Sequence, residues 1–291
     1  METSELLKKV RKIEIKSRGL SHQVFSGQYH SAFKGKGMAF SEVREYMFGD
    51  DIRSIDWNVT ARFNHPYVKV FEEEREMTVM LLIDVSGSND FGTFGSLKRD
   101  QITEVAAVLA FSAIQNNDKV GVVFFSDRVE KFIPPKKGTS HILRIIRELI
   151  TFKSSSSQTS VAAPLKFLTN AIKKRCTAFL ISDFIDAHFQ DALKIAARKH
   201  DLVGIRIFDR RERELPRVGL IRMVDNESGK TFFADTSSRE VRETYKYRWK
   251  IFERKLNEIF IKNGVDLTEI QTGSDYIKPL IGLFKKRESR Y

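Results

Sequence analysis

Residues 78–85, TVMLLIDV, form an unbroken apolar run that stops abruptly at the polar segment Asp84-Val85-Ser86-Gly87-Ser88. A strand with one face in water alternates apolar and polar side chains, and this run does not. It is also far shorter than the roughly 20 apolar residues that cross a bilayer. Such a run specifies a strand buried on both faces, the kind found in parallel sheets covered by helices on each side. The downstream pattern agrees. Helical periodicity over 97–116 is followed by the strand-like KVGVVFFS (119–126), then by helical SHILRIIRELITF (140–152) and VAAPLKFLTNAIKK (161–174). Next come CTAFLISDF (176–184, strand), QDALKIAARKH (190–200, helix) and DLVGIRIFD (201–209, strand). Strands alternating with helices predict an α/β fold: a mostly parallel, Rossmann-type sheet with helices on both faces. A hairpin is expected over 219–235, turning at Asn226–Gly229, and a long helix over 238–264, stopped by Gly264.

Upstream, residues 3–17 read as an amphipathic helix with Leu6, Leu7, Val10 and Ile13 on one side. Glycines and aromatics over 25–40 predict hairpins or ordered loops, and 41–51 a helical turn closed by Gly49. YVKVFEEE predicts a strand. The chain is thus expected to hold a small β-rich N-terminal subdomain, 1–76, and an α/β domain, 77–291, that includes the hairpin and long helix.

Composition narrows the chemistry. Lys and Arg number 50 against 38 Asp and Glu, a net charge of +12, but basic residues are interspersed with acids, as in ELLKKVRKIEIK and KKRESRY, and no uninterrupted basic tract stands out. That pattern is a solvated surface, and no nucleic-acid reading module accompanies it, so no sequence-specific nucleic acid is expected as partner. One cysteine, Cys176, excludes an internal disulfide and a paired-cysteine metal site, and its apolar surroundings make it a core residue. The six histidines, His22, His30, His65, His141, His188 and His200, lack metal-type spacing. With no span-length apolar run and no signal-type N-terminus, a cytoplasmic location without a membrane span is expected.

In a parallel sheet, ligands bind beyond the carboxyl ends of the strands. Three such places carry polar residues: Asp84, Ser86 and Ser88 after the first strand, Thr159 in the serine-rich loop 154–160, and Asp183 at a later strand end. Two carboxylates and three hydroxyls make an all-oxygen set suited to Mg²⁺, or to Mn²⁺ or Ca²⁺, rather than zinc. An incoming carboxylate is the natural further ligand.

Asp-x-Ser-x-Ser, a later Thr and a strand-end Asp resemble the metal-ion-dependent adhesion site (MIDAS) of von Willebrand factor A domains. The resemblance implies that Ser86, Ser88 and Thr159 are direct or near-direct ligands, with Asp84 and Asp183 bound directly or through water. Asn89 stands where such sites often carry Met. Upstream, Gly35-Lys36-Gly37, Arg44-Glu45-Tyr46, Gly49-Asp50-Asp51-Ile52-Arg53, Asp56-Trp57, Ala61-Arg62 and Glu72 to Glu76 resemble the signature of the domain-of-unknown-function 58 family, over roughly residues 20–235. That family is bacterial. It implies a von Willebrand A-like fold, a partnership with MoxR-type AAA+ ATPases, and chaperone-like assembly of client proteins, as in the Bacteroides aerotolerance (Bat) type.

Three other readings compete. Asp84 and Asp183 would serve equally as helix caps, which leaves the hydroxyls unexplained. A haloacid dehalogenase-type phosphohydrolase needs a second Asp two residues after its nucleophile, where this chain has Ser86. Charge alone would support anionic-surface or nucleic-acid binding, lost at moderate salt. The cluster Gly49-Asp50-Asp51-x-Arg53 and Asp56-Trp57 reads as structural, with Arg44, Arg53 and Arg62 pairing the nearby acids and Trp57 packing on the main domain.

Overall fold

The structure, a computed structural model, describes residues 11, 13, 14, 39–72, 77–93, 97–186, 188–224 and 229–289. Of the helix expected over 3–17, Arg11, Ile13 and Glu14 are described and helical; the hairpins or loops expected over 25–38 and the 225–228 turn lie outside the described residues. The chain divides into two compact units, residues 34–77 and the remainder.

The smaller unit pairs strand β1 (Ala39–Glu45) antiparallel with β2 (Tyr67–Glu72), setting Arg44 opposite Val68 and Glu42 opposite Val70. The helical turn expected over 41–51 is therefore corrected: its first half is strand. Cross-strand pairing with β-branched partners outweighs the helical preference of Ser41-Glu42-Val43-Arg44-Glu45. Beyond the strand, Asp50 closes a turn. Both its oxygens accept from the Arg44 guanidinium at 2.8 Å, and it also takes the Met47 N–H at 2.8 Å. Gly49 allows that turn by adopting φ +109°. Asp51 caps a short 3₁₀ turn (Ile52–Ser54), and Asp56 caps helix α1 (Trp57–Phe63) by accepting from the Asn58 and Val59 N–H groups. The acids of the cluster are thus turn and cap residues. Of its arginines, Arg44 pairs as expected. Arg53 and Arg62 make no ion pair among the described residues, and Arg53 is held through its backbone N–H to Asp51. Trp57 is 67% exposed.

The larger unit is built on a six-stranded sheet. Its elements, in chain order, are β3 (Thr78–Asp84), α2 (Lys98–Gln115), β4 (Lys119–Phe125), β5 (Val129–Lys136), α3 (Thr139–Thr151), α4 (Ala162–Ala171), β6 (Thr177–Ser182), α5 (Gln190–Lys199), β7 (Asp201–Phe208), α6 (Arg210–Arg213), β8 (Leu220–Val224), β9 (Thr231–Asp235), α7 (Arg239–Lys262), β10 (Asp266–Gln271) and α8 (Ile277–Glu288). Strand order is β10-β7-β6-β3-β4-β5, parallel except for β5, which runs against β4. This is the von Willebrand A-like, Rossmann-type arrangement. β8 and β9 form a separate hairpin, Leu220 opposite Asp235. Two sheet strands, β5 and β10, were not expected. Pro134 and Pro135 mask β5, and prolines are tolerated there because it is an edge. β10 mixes polar and apolar residues, also at an edge.

Side chains alternate through the sheet. Met80 and Leu82 point into one core with Leu165, Leu168, Leu193, Leu256 and Phe260, from α4, α5 and α7. On the other face α2 packs on β3 and β4, and α8 packs on β10, with Phe284 edge-on to Phe179. Because α2 is buried along most of its circumference, even its first residue, Lys98, is enclosed. Cys176 lies buried beside His200, and burial pushes its thiol up to about 12, as befits an inert core residue. Among the described residues no helix is long and apolar enough to cross a membrane.

Two positions on β7 fix where α7 sits. Gly204 faces it without a side chain; an added Cβ would run into the Phe260 ring and lie 2.8 Å from Leu267 Cδ1. Arg206, fully buried, sits 5.2–5.4 Å from the ring centres of Phe252, Trp249 and Phe208 and donates to Glu269 at 2.8 Å and Glu253 at 3.2 Å. Gly204→Ala is expected to cost about 1–3 kcal/mol through overpacking. A denaturant midpoint equal to that of the wild type would show that α7 yields at no cost.

Candidate metal centre

The chain leaves β3 toward β4 on one side, while β6, its neighbour on the other, leads on to β7. The carboxyl ends of β3 and β6 therefore flank the point where the sheet's winding reverses, the place where open α/β sheets bind ligands. Asp84 ends β3 and Ser182-Asp183 ends β6.

Asp84 is buried, and every group that holds it is neutral. Its Oδ2 accepts from the Ser182 hydroxyl at 2.6 Å, and its Oδ1 from the Ser86 N–H at 2.9 Å and the Asn89 side-chain amide at 3.1 Å. The same Asn89 amide reaches the Asp84 carbonyl at 3.0 Å. Burial and the neighbouring charge of Asp183 raise its proton affinity above that of an ordinary Asp. The 3₁₀ turn over Gly87–Asp90 brings the Ser86 and Ser88 hydroxyl oxygens to 3.1 Å of each other.

Asp183, equally buried, differs. Its Oδ1 accepts from the Ile185 N–H at 3.2 Å, and its Oδ2 from Lys98 Nζ at 2.8 Å. Burial alone would push Asp183 up. The Lys98 charge and hydrogen bonds from Lys98, Ile185 and the Ser88 hydroxyl bring it below the ordinary value instead. Lys98 is 1% exposed and also donates to Glu212 at 2.5 Å.

The serine loop is organised around Glu130, which accepts from the hydroxyls of Ser126 at 2.7 Å, Ser154 at 3.2 Å and Ser155 at 2.7 Å. Farther along, the Ser157 carbonyl takes the Gly87 N–H at 3.1 Å, the Ser160 N–H donates to the Ser126 carbonyl at 2.8 Å, and the Val161 N–H to Asp186 at 2.8 Å. Half-buried Thr159 sits between these ties. Asp84, Ser86, Ser88 and Asp183 are joined by direct contacts or charge coupling; Thr159 belongs to the loop stitched to the Ser86–Ser88 turn through Gly87.

Among the described residues no three or more of His, Cys, Asp and Glu gather as a metal cluster; the group here has two carboxylates, and hydroxyls supply its other oxygens. One observation bears on whether it fits a cation: Asn89, whose side-chain nitrogen donates to Asp84, keeps its own Oδ1 buried without a hydrogen-bond partner. A cleft of about 410 Å³ lined by Asp84, Ser86, Gly87, Asn89, Lys153 and Ser155 adjoins it. Hard oxygens, with an unsatisfied one on the neighbouring Asn89, suit a small divalent ion.

A family model described as "Protein of unknown function DUF58" matches residues 42–253. This chain belongs to the DUF58 family. Among its relatives, Rv1480, an uncharacterized protein of Mycobacterium tuberculosis (strain ATCC 25618 / H37Rv), is 29% identical over 245 residues, spanning 82% of the DUF58 chain and 77% of Rv1480. Among solved structures, BatB from Bacteroides thetaiotaomicron aligns with a TM-score of 0.50 at 14% identity, covering 73% of the DUF58 chain and 99% of BatB. An aerotolerance-related membrane protein from Bacteroides fragilis NCTC 9343 gives a TM-score of 0.50 at 15% identity, over 74% of the DUF58 chain and all of that one. At these identities the likeness is one of fold.

Two residues of this site in the DUF58 chain, Glu130 and Lys98, escape a motif reading, and Ser182 and Asn89, visible beside the motif, are not legible there as hydrogen-bond partners of Asp84. A signal for Lys98 was present. A lysine opening a helix opposes the helix dipole, so one placed there needs carboxylates around it. Glu130 offers no such signal, since its hydroxyl partners lie up to 25 residues away.

Proposed function

We propose that the DUF58 chain is a divalent-cation-dependent protein-interaction module. Asp84, Ser86, Ser88, Thr159 and Asp183 hold the ion, Mg²⁺ in the first instance with Mn²⁺ or Ca²⁺ as substitutes. The reading rests on one observation above the others: two buried carboxylates at adjacent strand ends, bonded through the Ser86–Ser88 turn and charge-coupled to each other. A bound cation supplies a positive centre with room for an outside ligand, and an acidic side chain of a partner protein completes its coordination. The protein's own part is to aim its oxygens. Ser182 and Asn89 orient Asp84, Ile185 orients Asp183, and Glu130 keeps the loop bearing Thr159 against the Gly87 turn. Family likeness supports a MoxR-type AAA+ ATPase, or a client protein, as the partner and chaperone-like assembly as the setting.

Immobilised DUF58 chain offered a purified MoxR-type ATPase is expected to retain it in Mg²⁺, lose at least nine-tenths of it in EDTA, and recover it on adding Mg²⁺ back. Thr159→Ala should lose retention with an unchanged melting temperature. Equal retention with and without EDTA would overturn the reading.

A further inference from the structure

The two carboxylates of the centre are not equivalent, and the difference lies in Lys98. Asp84 is held by neutral groups throughout, so its charge is uncompensated. Asp183 shares its Oδ2 with an ammonium 2.8 Å away that is itself 1% exposed. Lys98 cannot swing away, because Glu212 grips it from the other side at 2.5 Å. Glu212 is fixed in turn. Its other oxygen accepts the Asp209 N–H at 3.0 Å, and Asp209, fully buried, accepts from the hydroxyls of Thr93 at 2.7 Å and Thr272 at 2.7 Å. A chain of contacts thus runs from Asp183 through Lys98 to α6, the 91–93 loop and the end of β10. It places a permanent positive charge behind one of the two acids that face the cation.

Building on the cation site proposed above, we propose that Lys98 is a resident counter-charge that cancels much of Asp183 toward the metal, leaving the bound ion short of negative charge and therefore selective for a partner carboxylate. A unit charge this close to a divalent ion, weakly screened in a buried setting, alters affinity by on the order of tenfold or more. Lys98 is a positioning residue here: it acts on the ion through Asp183. Its presence makes the resting site a weaker metal binder and a stronger carboxylate acceptor than five oxygens alone would be.

The test is Mn²⁺ titration by calorimetry. Lys98→Met combined with Glu212→Gln removes the ammonium and one of its two carboxylate partners; Asp183 keeps its bonds from the Ile185 N–H and the Ser88 hydroxyl, and a circular dichroism spectrum unchanged from wild type checks that the fold survives. The double variant is expected to bind Mn²⁺ on the order of tenfold more tightly than wild type. Glu212→Gln alone, an isosteric change, leaves the whole ammonium charge on Asp183 and should weaken Mn²⁺ binding several-fold. Adding Asp183→Asn deletes a negative ligand and should cost more than about tenfold in either background. A double variant that binds Mn²⁺ no more tightly than wild type overturns the counter-charge. Wild-type protein that takes up no Mn²⁺ overturns the cation site itself.

Discussion

Asp84→Asn is expected to raise the Kd for Mn²⁺ at least about a hundredfold while the metal-free protein melts no lower than wild type. The two halves of that expectation come from the same burial. Asp84 contributes the one uncompensated negative charge at the centre, so removing it deletes the main attraction for a hard cation. In the metal-free fold that charge is a burden, because burial and Asp183 both raise the proton affinity of Asp84. A carboxylate whose proton affinity is higher folded than unfolded lowers stability wherever it is ionised, so the neutral amide relieves a cost at neutral pH. The hydrogen bonds survive: the amide oxygen still accepts from the Ser86 N–H, and the amide NH₂ faces the Ser182 hydroxyl, which can accept as well as donate. Calorimetric titration with Mn²⁺ and a melting curve in chelator measure the two halves. Undiminished Mn²⁺ uptake, or a clear drop in melting temperature, would mean that Asp84 is a structural cap.

Arg206→Ala is expected to destabilise the fold by about 3 kcal/mol, whereas Arg206→Met should cost about 1 kcal/mol or less. The Ala variant empties a space enclosed by Trp249, Phe252 and Phe208 and removes a donor from Glu253 and Glu269. The Met variant refills most of the volume with apolar atoms. Both acids keep Arg213, which is ion-paired with each of them and lies 3.6 Å from the centre of the Phe208 ring, so neither variant leaves them without a cation. Urea titration of both variants separates packing from charge. Equal losses for Ala and Met would assign the role to the ion pairs instead.

The legible part of this protein lies where local pattern and tertiary environment demand the same thing. β3 and β6 are buried on both faces, and their sequences are continuous apolar runs; α3 has one buried stripe, and its apolar residues repeat at helical spacing. Legibility fails where the partner decides. The segment from Ser41 to Glu45 looks helical by itself and becomes strand because β2 lies beside it. β5 hides behind two prolines that only an edge accepts. The candidate centre was half legible for the same reason. Its oxygen-bearing residues stand at strand ends in a recognisable order, but the groups that set their charge and aim come from across the fold. Lys98 and Asp183 are 85 residues apart, and Ser182 and Asp84 are 98 apart.

The prolines of β5 also bear on how copies of this protein meet one another. The outermost strand of a sheet normally offers a row of N–H groups that a foreign strand can use to extend it. Pro134 and Pro135 have none to offer, and the pairing of β5 with β4 is irregular between Val120 and Val122, beside them. The rim is chemically blunted against strand addition, so self-association by lengthening the sheet on that side is disfavoured even when the molecules are crowded together.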